Sequence, residues 1–402
     1  MLSREDNEAM TKVGKGTPAG ELLRRYWHPV CVAGELTEQK PIKPFRLLGE
    51  DLLVYRRPPA PGATEPSYGI APPQCPHRRA GLAYGLVDCE GIRCTYHGWK
   101  FAPDGRCLEM PAEPPNTPFK DKIRITAYPV QKLAGLLWTY MGPQPAPLLP
   151  RWDVLVREDG RRWTVIESVI DCNWLQAMEN SVDPAHLFWL HGSYEVKAHL
   201  SGMEHYNEKH DFIKFEYGIS KRRTTPGKTP SDPPMIDEHP LLFPTTLRHV
   251  AKMRDKKTSE TLFRHNLQIR VPIDDTHTRV YRVNFTPTKT DRSPENVDPP
   301  FEYRPLKDEN GVYDLTIVGA QDSMAWETQG PIHDRTQENL GVSDVGIAAL
   351  RRLLKEQLEI VRNGGDPMGV IRDPAKNKVI MLDVVNERIG LKRAEPSAEL
   401  VG

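Results

Sequence analysis

Along residues 45–141 apolar and polar positions alternate in short runs: "FRLLGEDLLVYRR", "GIRCTYHGWKFAPDGRCLEM" and "KIRITAYPVQKLAGLLWTYMG". Alternation of period two, bounded by Gly, Pro and Asp, is the signature of strands, and "APDGRC" marks a turn between two of them. A small all-β domain is predicted. The proline-rich "PQPAPLLPRW" then breaks the pattern and places a boundary near residue 150, giving domains 1–150 and 151–402. Beyond it come a strand pattern over 161–170, the apolar segment "NWLQAMENSVDPAHLFWLHG", and the alternating runs "FIKFEYGIS", "TLFRHNLQIRVPI" and "HTRVYRVNF". The last two are joined at "DDT", and together the runs predict an antiparallel sheet. Segments 224–245 and 287–310, rich in Pro, Asp and Lys, are predicted to be long loops able to cover a site. "SDVGIAALRRLLKEQLEIVRNGG" carries apolar residues at helical spacing, with Ser343 as N-cap and Gly364 as C-cap. No internal repeat is present, and the fold class is α+β.

Charge narrows the partners. Lys plus Arg and Asp plus Glu stand at 54 each in 402 residues, so no global field draws the chain to nucleic acid or an anionic membrane. The charged start "MLSREDNEAMTKVGKG" and the lack of an 18-residue apolar run predict a cytoplasmic protein with no membrane span. Six cysteines form no disulfide framework and fit a reducing compartment. Prolines number 38, nearly twice the usual ~5%, which implies long stiff loops.

Three of those cysteines fall within residues 75–101, "CPHRRAGLAYGLVDCEGIRCTYHGWKF". Cys75 and His77 form C-x-H, 16 residues follow, and Cys94 and His97 form C-x2-H. Each half supplies one thiolate and one imidazole. A structural zinc site tends to pair Cys with Cys and His with His, so the alternation argues against zinc. A 2Fe-2S cluster with two cysteines on one iron and two histidines on the other needs one of each from two facing loops, which is a Rieske centre. Neutral imidazoles in place of two thiolates raise its potential to roughly −150 to +300 mV, so it accepts and passes on single electrons. Cys89 has no assigned part, and Cys31, Cys107 and Cys172 read as small buried hydrophobes.

An electron donor needs a consumer. "ENSVDPAHLFWLHG" sets Asp183, His186 and His191 in the pattern D-x2-H-x4-H. On a regular helix the two imidazoles lie about 140° apart, so their convergence needs a distorted or ending helix, which Pro184 offers. The plainer alternative makes Asp183 the cap of a helix beginning at Pro184 and the histidines core residues. A carboxylate would complete the facial triad of a non-haem Fe(II) site that binds O2. Candidates are Asp322, Glu327, Asp334 and Glu338. Asp322 is preferred because it follows the strand-like "DLTIVG", where a side chain can project from a rigid strand end; Glu327 is second.

With "CPH…CTYHGW", "ENSVDPAHLFWLH" and "QDSMAWE" in place, the chain resembles the oxygenase component of Rieske non-haem iron ring-hydroxylating systems over nearly its whole length. The resemblance implies a helix-grip catalytic domain behind the Rieske domain. It also implies a third iron ligand at the first acid of D-x4-E, here Asp322 ahead of Glu327. It implies that Asp183 links a cluster histidine of one subunit to His186 of the next in a head-to-tail ring, commonly a homotrimer. Either Glu179 or Asn180 would support the iron site. "EDNEAMTKVGKGTPAGELLRRYWHPV" and "QGPIHDRTQENLGVSDVGIAALRRLL" are most similar to the phthalate dioxygenase branch, which includes O-demethylases of lignin-derived biphenyls such as 5,5'-dehydrodivanillate.

The implied chemistry takes electrons from NAD(P)H through a separate reductase or ferredoxin, because neither a G-x-G-x-x-G turn nor a flavin motif is present. With O2 the enzyme then either adds both oxygen atoms to an arene edge or one to a methoxy carbon, whose hemiacetal collapses to phenol and formaldehyde. Arg248, His265, Asn266, Arg282 and Asn284 load the strands with cations and amides, and those facing inward would favour an aromatic carboxylate. Two rival readings stand beside this one. A non-enzymatic electron carrier predicts a cluster and no second iron site; the same machinery on a sterol or alkaloid predicts no use of aromatic acids.

Overall fold

The protein is described by a computed structural model over residues 2–114, 118–195, 208–227, 229, 231–254 and 259–392. Two short helices lead in, α1 (Arg4–Thr11) and α2 (Pro18–Leu23), capped by the hydroxyls of Ser3 and Thr17. Ten strands follow: β1 (Trp27–Val32), β2 (Ile42–Leu47), β3 (Glu50–Arg57), β4 (Ser67–Ala71), β5 (Leu86–Val87), β6 (Ile92–Arg93), β7 (Lys100–Phe101), β8 (Cys107–Glu109), β9 (Val130–Leu133) and β10 (Leu136–Tyr140). They form three antiparallel sheets in the orders β1-β10-β9, β2-β3-β4 and β5-β6-β7-β8. Two hairpins turn on residue pairs with positive φ, Leu48 at 49° with Gly49 at 77° and Ala134 at 54° with Gly135 at 73°. That pairing matches a turn to the right-handed twist of the strands it joins. Leu53, Tyr55, Ile92, Trp99 and Phe101 make a core directly beneath the cysteine loops.

From residue 153 onward come α3 (Asp153–Val156), β11 (Gly160–Glu167), α4 (Trp174–Ser181), a π-helical turn (Leu187–His191) and α5 (Gly192–Glu195). Next are β12 (Lys209–Phe215), β13 (Gly218–Thr225), β14 (Met235–Leu242), β15 (Thr246–Arg254), β16 (Thr261–Pro272), β17 (Thr278–Pro287) and β18 (Phe301–Arg304). The chain then passes through α6 (Val318–Glu327), α7 (Val345–Arg362) and β19 (Val385–Asn386). One sheet of nine strands results, ordered β12-β13-β14-β15-β16-β17-β11-β18 with β19 on β14. All pairs are antiparallel except β11 with β18.

Strand alternation gives this sheet two unlike faces. Leu267, Ile269, Val271, Tyr281, Val283 and Phe285 are buried on one face and join the N-terminal strands in the main core. The Tyr281 hydroxyl donates to Val30 O at 2.9 Å across that contact. On the other face, Arg270 points at Met178 and Ser181 of α4, beside α6 and α7. The polar face therefore looks into the helices.

Several expectations are corrected. Segment 224–245 is not a loop: β14 occupies its second half. Pro240 hid that strand, yet β14 pairs with β15 only at Leu241 and Leu242, so Pro240 sits where no sheet partner on that side needs its missing N–H. Likewise β18 lies within 287–310, paired with β11. "FIKFEYGIS" is not one run but a hairpin turning at Glu216–Tyr217. Ser343 does not cap α7; it lies in a single 3-10 turn, Val342–Asp344, with Asp344 at the cap position. Gly364, at φ 80°, does end that helix as expected.

Candidate functional site

Two loops of like construction present the first set of residues. The Cys75 amide donates to Ala80 O at 2.8 Å and Arg79 N–H returns to Cys75 O at 3.0 Å. In the second loop Cys94 N–H meets Trp99 O at 2.8 Å and Gly98 N–H meets Cys94 O at 3.0 Å. Arg79 and Gly98 make the reversals at φ 64° and 75°. The loops face each other: the His77 and His97 ring centroids are 4.5 Å apart, and His77 stacks on Trp99 at 4.4 Å. Cys75 and Cys94 are buried beneath them. His77 Nδ1 is buried without a hydrogen-bond partner, as a ligating nitrogen would be. Burial, joined by the neighbouring Cys94, pushes the Cys75 thiol up to about 11, so only a bound cation would ionise it at neutral pH. The donor set fits a two-iron cluster. Cys31, Cys107 and Cys172 are buried and Cys89 half-buried, all as free thiols.

The second set is built by a break in a helix. Asn173 caps α4, its Oδ1 accepting from Leu175 N at 3.1 Å, and the helix stops at Ser181 ahead of Pro184. Asp183 then caps the next turn through Ala185 N at 2.9 Å and His186 N at 3.4 Å. That turn is π-helical, closed by i→i+5 bonds, so residue i+5 returns above residue i. His186 and His191 are five apart, and their rings meet with centroids at 5.2 Å. Asp322 enters from α6, its Oδ1 lying 3.4 Å from His191 Nε2 and 3.8 Å from His186 Nε2. Among the described residues, these three are the single group of three or more such side chains whose donor atoms all lie within 4.8 Å of one another.

The surroundings orient that trio. His191 Nδ1 donates to Gln321 Oε1 at 2.7 Å, which leaves Nε2 as a lone pair for a metal, and Gln321 is itself tied to Leu315 O at 2.8 Å. His186 Nδ1 faces Asp183 Oδ2 at 3.7 Å. Burial acts to raise the Asp322 pKa, but the two histidines and Arg282 outweigh it and hold the carboxyl below its usual range. Asn180 reaches Asp322 at 3.5 Å, whereas Glu179 is turned away into Arg335 and Arg351. Glu327 is spent on Lys307, the Tyr313 hydroxyl and Asp171 N. Asp334 caps Thr336, and Glu338 pairs with Arg351. Asp322 does not come from a strand end: residues 318–327 are helix, and Gly319 lets it approach the sheet, since a Cβ there would lie 2.7 Å from Glu167 Oε1.

A cavity of about 430 Å³ opens at the trio and runs under the polar face of the sheet. Of the residues expected in it, Arg282 lines the wall, held by Glu167 at 2.5 Å. Arg248 and His265 are on the opposite face, bonded to each other at 2.9 Å, with Arg248 also on Asp153 at 3.0 Å. Asn266 pairs across from His249 on the cavity face but does not line the cavity. Nor does Asn284, whose amide bonds Arg282 O at 3.1 Å. The wall consists instead of Lys221 and Arg223 from β13, Asp237 and His239 from β14, His249 from β15, and Gln268 and Arg270 from β16. Asn386 and Arg388 close it from the C-terminal segment. The alternation of Lys221 with Arg223 in "GISKRRTT" was the available signal.

A two-histidine, one-carboxylate trio beside a cavity, preceded by a two-cysteine, two-histidine loop pair, defines an oxygenase with its own electron-storing cluster. Residues 26–129 match the Rieske [2Fe-2S] domain and residues 306–393 the "LigXa C-terminal domain like" family. The chain is 41% identical over 396 residues to the 5,5'-dehydrodivanillate O-demethylase oxygenase subunit of Sphingobium sp. SYK-6, covering 96% of this chain and 87% of that one. It is 31% identical to the phthalate 4,5-dioxygenase oxygenase subunit of Pseudomonas putida, covering 92% and 89%. Its fold is shared with NdmA of Pseudomonas putida CBB5 at a TM-score of 0.62, with 22% identity over 87% of this chain and 94% of that one. The chain belongs to the Rieske non-haem iron oxygenases and is a terminal oxygenase component.

Proposed function

We propose that this oxygenase removes the methyl group of a methoxylated, lignin-derived aromatic acid of the 5,5'-dehydrodivanillate kind. The observation that carries this reading is the cationic cavity wall opening onto His186, His191 and Asp322, and the similarity to the dehydrodivanillate enzyme supports it. Residues 1–150 form the cluster domain, with Cys75 and Cys94 on one iron and His77 and His97 on the other. Residues 151–402 hold Fe(II) through His186, His191 and Asp322. Iron bound there supplies the activation of O2 with electrons delivered by the cluster.

The chain's own groups prepare that site. Gln321 fixes the His191 tautomer, Asn180 restrains Asp322, and the wall cations hold the substrate acid against the open side of the trio. Electrons come from NAD(P)H through a separate reductase or ferredoxin, and Asp183 carries them to His186 from a cluster histidine of a neighbouring copy in a homotrimeric ring. A second reading, cis-dihydroxylation of a phthalate-type acid, rests on the similarity to phthalate 4,5-dioxygenase. The two are separated by incubating the holoenzyme and a reductase with a panel of aromatic acids. Formaldehyde released in proportion to NAD(P)H consumed is the expected result. Dihydrodiol without formaldehyde would support the second reading, and NAD(P)H use independent of every acid would refute both.

A further inference from the structure

Cations buried in a folded chain are nearly always paired, because an isolated charge loses its hydration for nothing. Those lining the cavity obey this rule with two exceptions. Arg223 bonds Asp237, Arg282 bonds Glu167 at 2.5 Å, and Arg388 bonds Glu208 at 3.0 Å. Among the described residues, neither Lys221 nor Arg270 has a carboxylate partner. Lys221 is 6% exposed, and no hydrogen bond or ion pair to it is found among the described residues. Arg270, 1% exposed, gives its guanidinium to neutral acceptors: Ser181 Oγ, Met178 Sδ at 3.6 Å and Gln268 Oε1 at 3.4 Å. Its Nε is buried without a partner.

The acids nearby are already engaged. Asp237 accepts from Arg223 and lies 2.9 Å from His239 Nδ1, Asp322 faces the two imidazoles, and Asp183 caps Ala185 and His186. Burial lowers Lys221 to about 8 and Arg270 to about 10, outweighing the charges of Asp237 and Asp183 on the first and of Asp322 and Glu167 on the second. We propose that Lys221 and Arg270 form the clamp for the substrate's carboxylate, one as a point charge from β13 and the other as a planar fork from β16. The clamp rests on the aromatic-acid reading above and sharpens it. A substrate carboxylate supplies the missing counter-charge, whereas a neutral arene of the same shape leaves both cations unpaired.

The test measures binding to the reduced, oxygen-free holoenzyme by titration calorimetry. The probes are 5,5'-dehydrodivanillate, phthalate and 3-chlorobenzoate, each set against its carboxamide, with turnover assayed in parallel. The wild type binds at least one acid about 10- to 100-fold more tightly than its amide, the worth of a charge-assisted contact. Lys221→Met and Arg270→Gln each erase most of that preference by weakening the acid and sparing the amide, while Lys221→Arg retains it. Cluster absorbance unchanged in these variants shows that they fold, and if Arg270→Gln loses the cluster the Lys221 pair alone decides. An acid preference undiminished in Lys221→Met overturns the clamp. Equal binding of acid and amide by a wild type that oxidises aromatics also overturns it and leaves the oxygenase reading standing. A wild type that oxidises no aromatic overturns the substrate reading itself.

Discussion

At the scale of single residues the claim most open to test is that Asp322, and not Glu327, completes the iron site. The two acids lie on one helix, yet only Asp322 has its carboxylate within 4 Å of both imidazoles, while Glu327 is fully occupied by Lys307 and Tyr313. Asp322→Ala is expected to lose the mononuclear iron and abolish product while leaving the Rieske absorbance intact, since different residues hold the cluster. Glu327→Ala should keep its iron and lose some stability. Metal analysis beside the visible spectrum decides, and the reverse pattern would move the ligand to Glu327. Lys221 yields a pH signature. Burial depresses its pKa to about 8, with Asp237 and Asp183 acting to raise it and Arg223 and Arg270 to lower it further. A bound carboxylate favours the ammonium, so affinity for the acid is full below pH 8 and weakens as the pH rises above it, by up to about tenfold per unit. His239 and His249, both shifted down by burial, are neutral in that range. KM measured from pH 7 to 9.5 should rise in the wild type and stay flat in Lys221→Met. Legibility differed among these residues for a physical reason. The Cys-x-His and Cys-x2-His loops are local, so spacing alone reveals them. Which wall residues face the cavity depends on strand phase, and a shift of one position put Arg248 on the far face of the sheet and its neighbour His249 on the cavity wall.

At the scale of elements, the site depends on α4 stopping where it does and staying where it is. Pro184 and the pattern D-x2-H-x4-H announced a distortion, but a π-helical turn has no compositional mark, so its form was not legible. The run "DLTIVG" read as a strand because it is β-branched. In the fold the Asp314 carboxylate caps Thr316 instead, and the helix carrying Asp322 starts at Val318. What pins α4 is Glu179, fully enclosed between Arg335, at 2.9 and 2.7 Å, and Arg351 of α7, at 2.6 Å. Burial works against its ionised form, but the two guanidinium groups win and hold its pKa below the usual value. A depressed carboxylate pKa contributes stability that is complete above its unfolded value and is lost as the pH falls through the folded one, so this pin fails in acid. Arg335→Ala leaves the carboxylate half-compensated in the interior. The expected loss is about 3–5 kcal/mol in denaturant unfolding at pH 7, and the wild-type advantage shrinks as the pH falls below the usual carboxylate range. A loss under about 1 kcal/mol would show that the ion pair adds little to holding α4.

At the scale of the whole molecule, the proposed route takes electrons from a cluster held by Cys75, His77, Cys94 and His97 to an iron held at His186. We place Asp183 on that route as the link between neighbouring copies in a ring. Exposed apolar groups lie where such a contact would form, Tyr84, Leu86 and Tyr96 around the cluster loops and Trp189 on the π-helical turn. Asp183 also caps that turn, so the two roles must be separated experimentally. Asn caps nearly as well as Asp, which makes Asp183→Asn the informative change. If capping is its only task, stability falls by at most about 1 kcal/mol and activity is kept. If it carries the electron, both metal sites persist, yet reoxidation of the reduced cluster on mixing with O2 and substrate slows about 10- to 100-fold, the range seen when a histidine loses its carboxylate support. Iron content measured alongside excludes simple loss of metal. The proposed ring makes a further demand. Chains carrying Asp183→Asn have a working cluster, and chains carrying Cys75→Ser have a working Asp183, so an interface that takes its cluster from the first and its aspartate from the second is intact. Co-assembled rings of the two variants should therefore be more active than rings of either parent, and mixed rings no more active than their parents would place the electron path within a single chain.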